Sequence, residues 1–157
     1  RQFWNNEFWD KLLTTLEKNR DILGWFSIEL TESLLMKDLR EASNRLNLLR
    51  SMGVRISIDD FGVGYSSLSY LTQLVTDEIK VPQEFVLRMR NSPADLALVK
   101  TIIQMAGNLN LELVGEGAQT PEEIDILKNL SCPVIQGFAL SKPLPIDQLE
   151  VFLSRYI

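Results

Sequence analysis

Five short segments of alternating apolar and polar residues recur along this chain, starting near Phe26, Val54, Asp77, Leu111 and Pro133. Each is followed by residues at helical spacing. Repeated strand-then-helix units build parallel sheets, because every crossover helix returns the chain to the same end of the sheet. The starts lie about 27 residues apart on average, the period of an eight-fold βα barrel of roughly 250 residues. A doubly wound open sheet is the alternative, yet it demands no such regular march. Five units are too few to close a barrel. The expected fold is therefore α/β, a partial TIM-like barrel of about five βα units with N-terminal strands missing.

The helical segments carry their own punctuation. Phe3, Trp4, Phe8, Trp9, Leu12, Leu13 and Leu16 form an apolar stripe in a leading helix, where both tryptophans read as packing residues. Leu35, Leu39, Ala42, Leu46 and Leu49 predict an amphipathic helix stopped by Gly53. Ser66 or Ser67 is placed to cap a short helix through Leu68, Leu71 and Leu74. Pro82 is placed to start the helix after the third strand. Ser92-Pro93 opens a helix to about Leu109, Thr120 to Glu123 reads as a capping box, and a last helix runs roughly from Ile146 to Ser154. Cys132 and the four methionines, Met36, Met52, Met89 and Met105, read as core residues, and Arg88, Arg90 and Lys100 as solvated helix faces.

Composition narrows the chemistry. The 157 residues include one cysteine and no histidine. Serine triads, Cys–His dyads, imidazole bases and Cys-rich zinc sites are excluded, and no internal disulfide can form. Acid–base or metal chemistry must run on Asp, Glu and Lys, whose oxygen donors favour Mg²⁺, Mn²⁺ or Ca²⁺. A net charge of −5 argues against binding duplex nucleic acid. No apolar run is long enough for a transmembrane helix, so no direct membrane contact is expected from this segment. The start at Arg1, without a signal peptide, suggests part of something longer; the expected location is cytoplasmic, with a membrane anchor of the parent left open in regions not present.

Strand parity points to a site. In a barrel the apolar residues of each strand pack on the helices and the alternate ones point inward. That parity puts Glu29, Asp59, Lys80 and Glu116 inside, each near the C-terminal end of a different strand, where barrel enzymes build their active sites. Gln136 takes the matching place on the fifth strand. Converging buried charges require pairing or a cation, so a salt-bridge network around Lys80, a metal site, or simply exposed strand ends would account for them. Asp59 and Asp60, adjacent acids before a glycine-rich turn, can present two carboxylates to one cation or to two neighbouring ones, or cap the loop.

Five stretches then stand in a recognisable order: Glu29 to Glu32 (Glu-Leu-Thr-Glu), Asp59 to Leu68 (Asp-Asp-Phe-Gly-Val-Gly-Tyr-Ser-Ser-Leu), Glu78 to Lys80, Gly115 to Ala118, and Gln136 to Pro145 (Gln-Gly-Phe-Ala-Leu-Ser-Lys-Pro-Leu-Pro). From about Phe26 onward the chain resembles the EAL domain family, bacterial phosphodiesterases that linearise cyclic di-GMP. The resemblance implies that residues 1–157 are the C-terminal portion of one EAL domain, with 1–25 a leading helix and 26–157 the βα units. It implies metal ligation by Glu29 and Asp59, with Asp60 at the same or a second Mg²⁺ or Mn²⁺. Lys80 would contact phosphate or the attacking water, Glu116 would match the general base, and Gln136 would complete the surroundings. Glu32 would hold the Asp60–Ser67 loop, which in the family couples metal binding to dimerisation.

Two departures stand beside the match. Pro82 occupies a position where the family usually has Asp, and Gln119 one where it has Glu. The Glu-Ala-Leu signature and a later asparagine, both metal ligands in the family, would precede Arg1. The sequence therefore supports two readings: a cyclic di-GMP phosphodiesterase domain of which this piece alone is inactive, or a degenerate EAL module that binds the nucleotide or a protein without hydrolysis. Five units would leave open sheet edges, so a homodimer is expected.

Overall fold

A computed structural model describes residues 2–64, 70–71 and 73–155. The chain enters through a 3-10 turn at Gln2–Trp4, helix α1 (Asn6–Glu17) and a second 3-10 segment at Arg20–Trp25. There follow β1 (Ser27–Thr31), α2 (Glu32–Leu35), α3 (Leu39–Ser51), β2 (Arg55–Asp59) and β3 (Glu78–Val81). Next come α4 (Gln83–Arg88), α5 (Pro93–Asn108), β4 (Glu112–Gly115), α6 (Pro121–Asn129), β5 (Val134–Ile135) and α7 (Ile146–Leu153). All pairings are parallel and the spatial order is the sequence order, β1-β2-β3-β4-β5. A doubly wound sheet would reverse direction at a switch point. This one does not, and it forms an open arc of a βα barrel.

The arc is held by its apolar parity. Ile56, Ile58, Ile79, Val81 and Leu113 are buried with Leu46, Leu49, Val99, Ile102 and Leu127 of the helices. Gly115 belongs to that outer face, where an added Cβ would lie 3.1 Å from Cys132 Sγ and from a methyl of Leu127. The absence of a side chain lets α6 sit close on β4. The leading segment docks through Trp9, buried, and Trp4, whose indole N–H donates to Leu34 O at 3.3 Å. Arg45 of α3 lies over both rings and donates to Phe3 O, so one cation ties the segment to the helix layer.

Local signals explain the element ends. Thr120 and Glu123 form the expected capping box, and Ser92 caps α5 with Pro93 at its first position. The single helix expected over Leu35–Leu49 is instead two. Asp38 accepts a hydrogen bond from Glu41 N–H at 3.0 Å and starts α3 afresh, leaving Met36 to Asp38 as the break. Met36 consequently sits at that break 43% exposed, a correction to its reading as core, whereas Met89 is buried. Arg88 is exposed but pairs with Glu84 and Asp95. Cys132 is buried, and burial raises its thiol pKa. The short helix expected from Ser66 or Ser67 through Leu68 falls largely outside the described residues.

Candidate functional site

Three strands bring charge to one point. Lys80, the third residue of β3, points to the inner face with its side chain only 6% exposed. Its Nζ donates to Glu29 Oε1 at 2.8 Å and to Glu116 Oε1 at 2.7 Å. Glu29 comes from β1, two strands away, and Glu116 from the residue following β4. The strand between, β2, presents Ser57 opposite Glu29 in the register. Ser57 is fully buried and turns its hydroxyl to Glu78 Oε1 at 2.7 Å. A side chain this small leaves room for Lys80 to reach over β2. Burial alone pulls the lysine pKa down, but the hydrogen bonds to Glu116 and Glu29 outweigh it and hold it at about 12.

Glu116 owes its place to the sheet. Its N–H donates to Val81 O at 3.1 Å, carrying the β3–β4 ladder past the end of β4. Gln136 N–H donates to Gly115 O at 2.9 Å, which sets Gln136 beside it. Glu116 and Gln136 line a cavity of about 490 Å³ at the C-terminal end of the strands. Its walls include Gln83, Gln119, Phe138, Lys142 and, from α7, Phe152. Close approaches at two glycines shape it. Gly117 has φ 72°, and an added Cβ would strike Gln83; one on Gly137 would strike the Ala118 backbone. Sequence reasoning did not single out Gln83, Phe138 or Phe152. Only Gly117 and Gly137, inside quoted motifs, signalled a close backbone approach.

Asp59 ends β2, and its Oδ1 accepts the N–H of Asp60 at 2.9 Å. Asp60 turns into the left-handed region at φ 54° and lines a separate depression with Val63, Pro82 and Glu84. Burial, then the charges of Asp59 and Glu84, raise its carboxyl pKa. Glu32, buried, accepts Gly62 N–H at 3.0 Å in the loop after β2. The Tyr70 hydroxyl is buried near Glu32 without a hydrogen bond of normal geometry. Its pKa is raised first by burial and then by the carboxylate.

The structure thus brings Glu29, Lys80 and Glu116 into contact and sets Glu116 beside Gln136. It leaves Asp60 in the neighbouring depression. Among the described residues, no group of three or more acidic or cysteine side chains stands ready to hold a metal ion. The donors still fit Mg²⁺ or Mn²⁺ in kind: Glu29 and Asp59 offer oxygens from adjacent strands, and Mg²⁺ is commonly held by one or two carboxylates plus water and substrate phosphate. That Glu29 and Glu116 already share one ammonium shows that the site favours positive charge.

Known proteins share this sequence and fold. The EAL domain family matches residues 1–143, so its match includes the leading helix. The cyclic di-GMP phosphodiesterase NbdA of Pseudomonas aeruginosa is 39% identical over 147 residues, 94% of this chain and 19% of that protein. The oxygen sensor protein DosP of Escherichia coli is 41% identical over 131 residues, 83% of this chain and 16% of its own. The chain thus spans less than a fifth of these curated relatives. Among solved structures, the PaMucR phosphodiesterase in complex with c-di-GMP superposes with a TM-score of 0.87 at 37% identity, covering 94% of this chain and 60% of that one. Klebsiella pneumoniae BlrP1 with manganese and cyclic di-GMP gives a TM-score of 0.80 at 31% identity, covering 90% and 36%. The open arc is part of the TIM-like barrel of these proteins, and the chain belongs to the EAL domain family.

Proposed function

We propose that this chain is the C-terminal portion of an EAL domain that, when intact, hydrolyses cyclic di-GMP to the linear dinucleotide with Mg²⁺ or Mn²⁺. One observation carries the reading: Glu29, Lys80 and Glu116 meet from three strands, beside a cavity of about 490 Å³ shared by Glu116 and Gln136. Relatives named as cyclic di-GMP phosphodiesterases, and structures holding that nucleotide, support it. Glu29, Asp59 and Asp60 are the residues that would hold the metal. A bound divalent cation lowers the pKa of water and offsets phosphodiester charge. Glu116 accepts the proton of the attacking water, Lys80 balances charge on the phosphate, and Gln136 orients the water through its amide. Glu32 holds the following loop through Gly62 N–H.

A second reading, nucleotide binding without hydrolysis, has its own support. Pro82 caps α4 without a carboxylate, and Gln119 puts a neutral amide in the cavity wall. We place the chain in the cytoplasm, on the strength of its one buried, unpaired cysteine. Among the described residues no helix is long and apolar enough to cross a membrane. A homodimer belongs to the same proposal, because in the family the loop that Glu32 holds couples metal binding to dimerisation.

The test is turnover of cyclic di-GMP in Mg²⁺ and Mn²⁺ by the longest natural protein containing this chain. The wild type should release the linear dinucleotide, and Glu116→Gln should slow it about 10²–10⁴-fold while still binding the substrate. Binding without turnover by the wild type would establish the second reading. Wild-type rates in Glu116→Gln would refute the base assignment.

A further inference from the structure

The contacts of Lys80 are unequal, and the inequality has a direction. Glu116 is 20% exposed and its own N–H is fixed to Val81 O of β3, whereas the Glu29 side chain is tied to the sheet through Lys80 alone among the contacts described. An ion pair at a carboxylate held in place by its own backbone is costly to break; one whose released oxygen passes to a cation is not. Glu29 also stands on the strand next to Asp59, and it reaches Lys80 only over the small Ser57. Lys80 therefore occupies the carboxylate that a divalent cation would need first.

We propose that Lys80 is the resident counter-ion of the metal-free site: it holds Glu29 in place and yields it, keeping Glu116, when a divalent cation binds. This rests on the metal-dependent reading above and adds to it a positioning role for a residue otherwise assigned only to phosphate or water. Ammonium and metal compete for one oxygen donor, so each weakens the hold of the other by the same factor. Removing a competing residue tightens metal binding, whereas removing one that merely props the fold loosens it or leaves it unchanged.

The experiment is Mn²⁺ titration by calorimetry of the longest natural protein containing this chain, comparing wild type, Lys80→Met and Arg55→Met. Arg55 pairs with Glu112 at the other end of the strands and controls for a general loss of positive charge. Lys80→Met should bind Mn²⁺ about tenfold more tightly than wild type, and Arg55→Met should match wild type. Equal or weaker binding by Lys80→Met, with wild type binding normally, would overturn the exchange and leave the metal site standing. Equal tightening in both variants would also overturn it. No binding by any of the three would overturn exchange and metal reading together. The wild type supplies a check that needs no substitution: the Lys80 ¹⁵Nζ resonance should move on saturation with Mg²⁺. A stationary resonance while Mg²⁺ binds would overturn the exchange.

Discussion

Gly137 is the position where one methyl group should do the most damage. Its backbone is not in the left-handed region, so the penalty is purely steric. An added Cβ would lie 2.1 Å from Ala118 O and 2.4 Å from Ala118 N. These are backbone atoms, and no rotamer change relieves the clash. The same contact is stitched by hydrogen bonds from Ala118 N–H to Gln136 O at 3.2 Å and from Ala139 N–H to Ala118 O at 3.0 Å. Overpacking costs about 1–3 kcal/mol, and weakening the two bonds adds about 0.5–1.5 kcal/mol each. Gly137→Ala should therefore destabilise the chain by about 3 kcal/mol, lowering Tm by about 6–12 °C for a domain of this size. Urea unfolding followed by tryptophan fluorescence measures it, since Trp4 and Trp9 are packed on the fold. Gly107→Ala is the control: it lies in α5 with nothing within 4 Å of the new methyl, and should stabilise by about 0.5–1 kcal/mol. A Gly137→Ala midpoint equal to wild type would refute the close approach that positions Gln136 beside Glu116.

Arg45→Met should destabilise by about 2–4 kcal/mol and expose the leading segment to proteolysis. It removes bonds to Phe3 O, Asn6 and Glu41 and the stacking 4.8 Å above Trp9, so an unchanged cleavage rate before residue 26 would contradict that anchor. In alkali, Lys80 sets a defined window. Its folded pKa of about 12 lies above the ordinary 10.5, so its contribution is complete below 10.5 and is lost as pH rises through about 12. The stability difference between wild type and Lys80→Met should shrink across that window, and a constant difference would refute the ion-pair origin.

Much of this was readable because strands obey a period of two. Each observed strand begins one residue after the start inferred from alternation, as with Ser27 for Phe26 and Glu112 for Leu111. Parity alone put Glu29, Lys80 and Glu116 on one face, and they are in contact. Of the accounts that parity allowed, ion pairing around Lys80 is observed, and its carboxylates remain the donors proposed for a cation. The helix break at Met36–Asp38 was missed because the apolar stripe runs through it. Asp38 and Glu41, at N-cap and N3 spacing, carried the signal. The cavity wall was illegible for another reason. Gln83, Phe138 and Phe152 come from three separated segments and share no period, so only the fold brings them together.

The most direct test of the central claim is calorimetric titration of cyclic di-GMP onto the intact domain with and without Mn²⁺, in wild type and in Glu29→Gln. Wild-type binding should strengthen with Mn²⁺, and neutralising Glu29 should abolish that strengthening. Binding indifferent to both the metal and Glu29, or no binding at all, would contradict the claim.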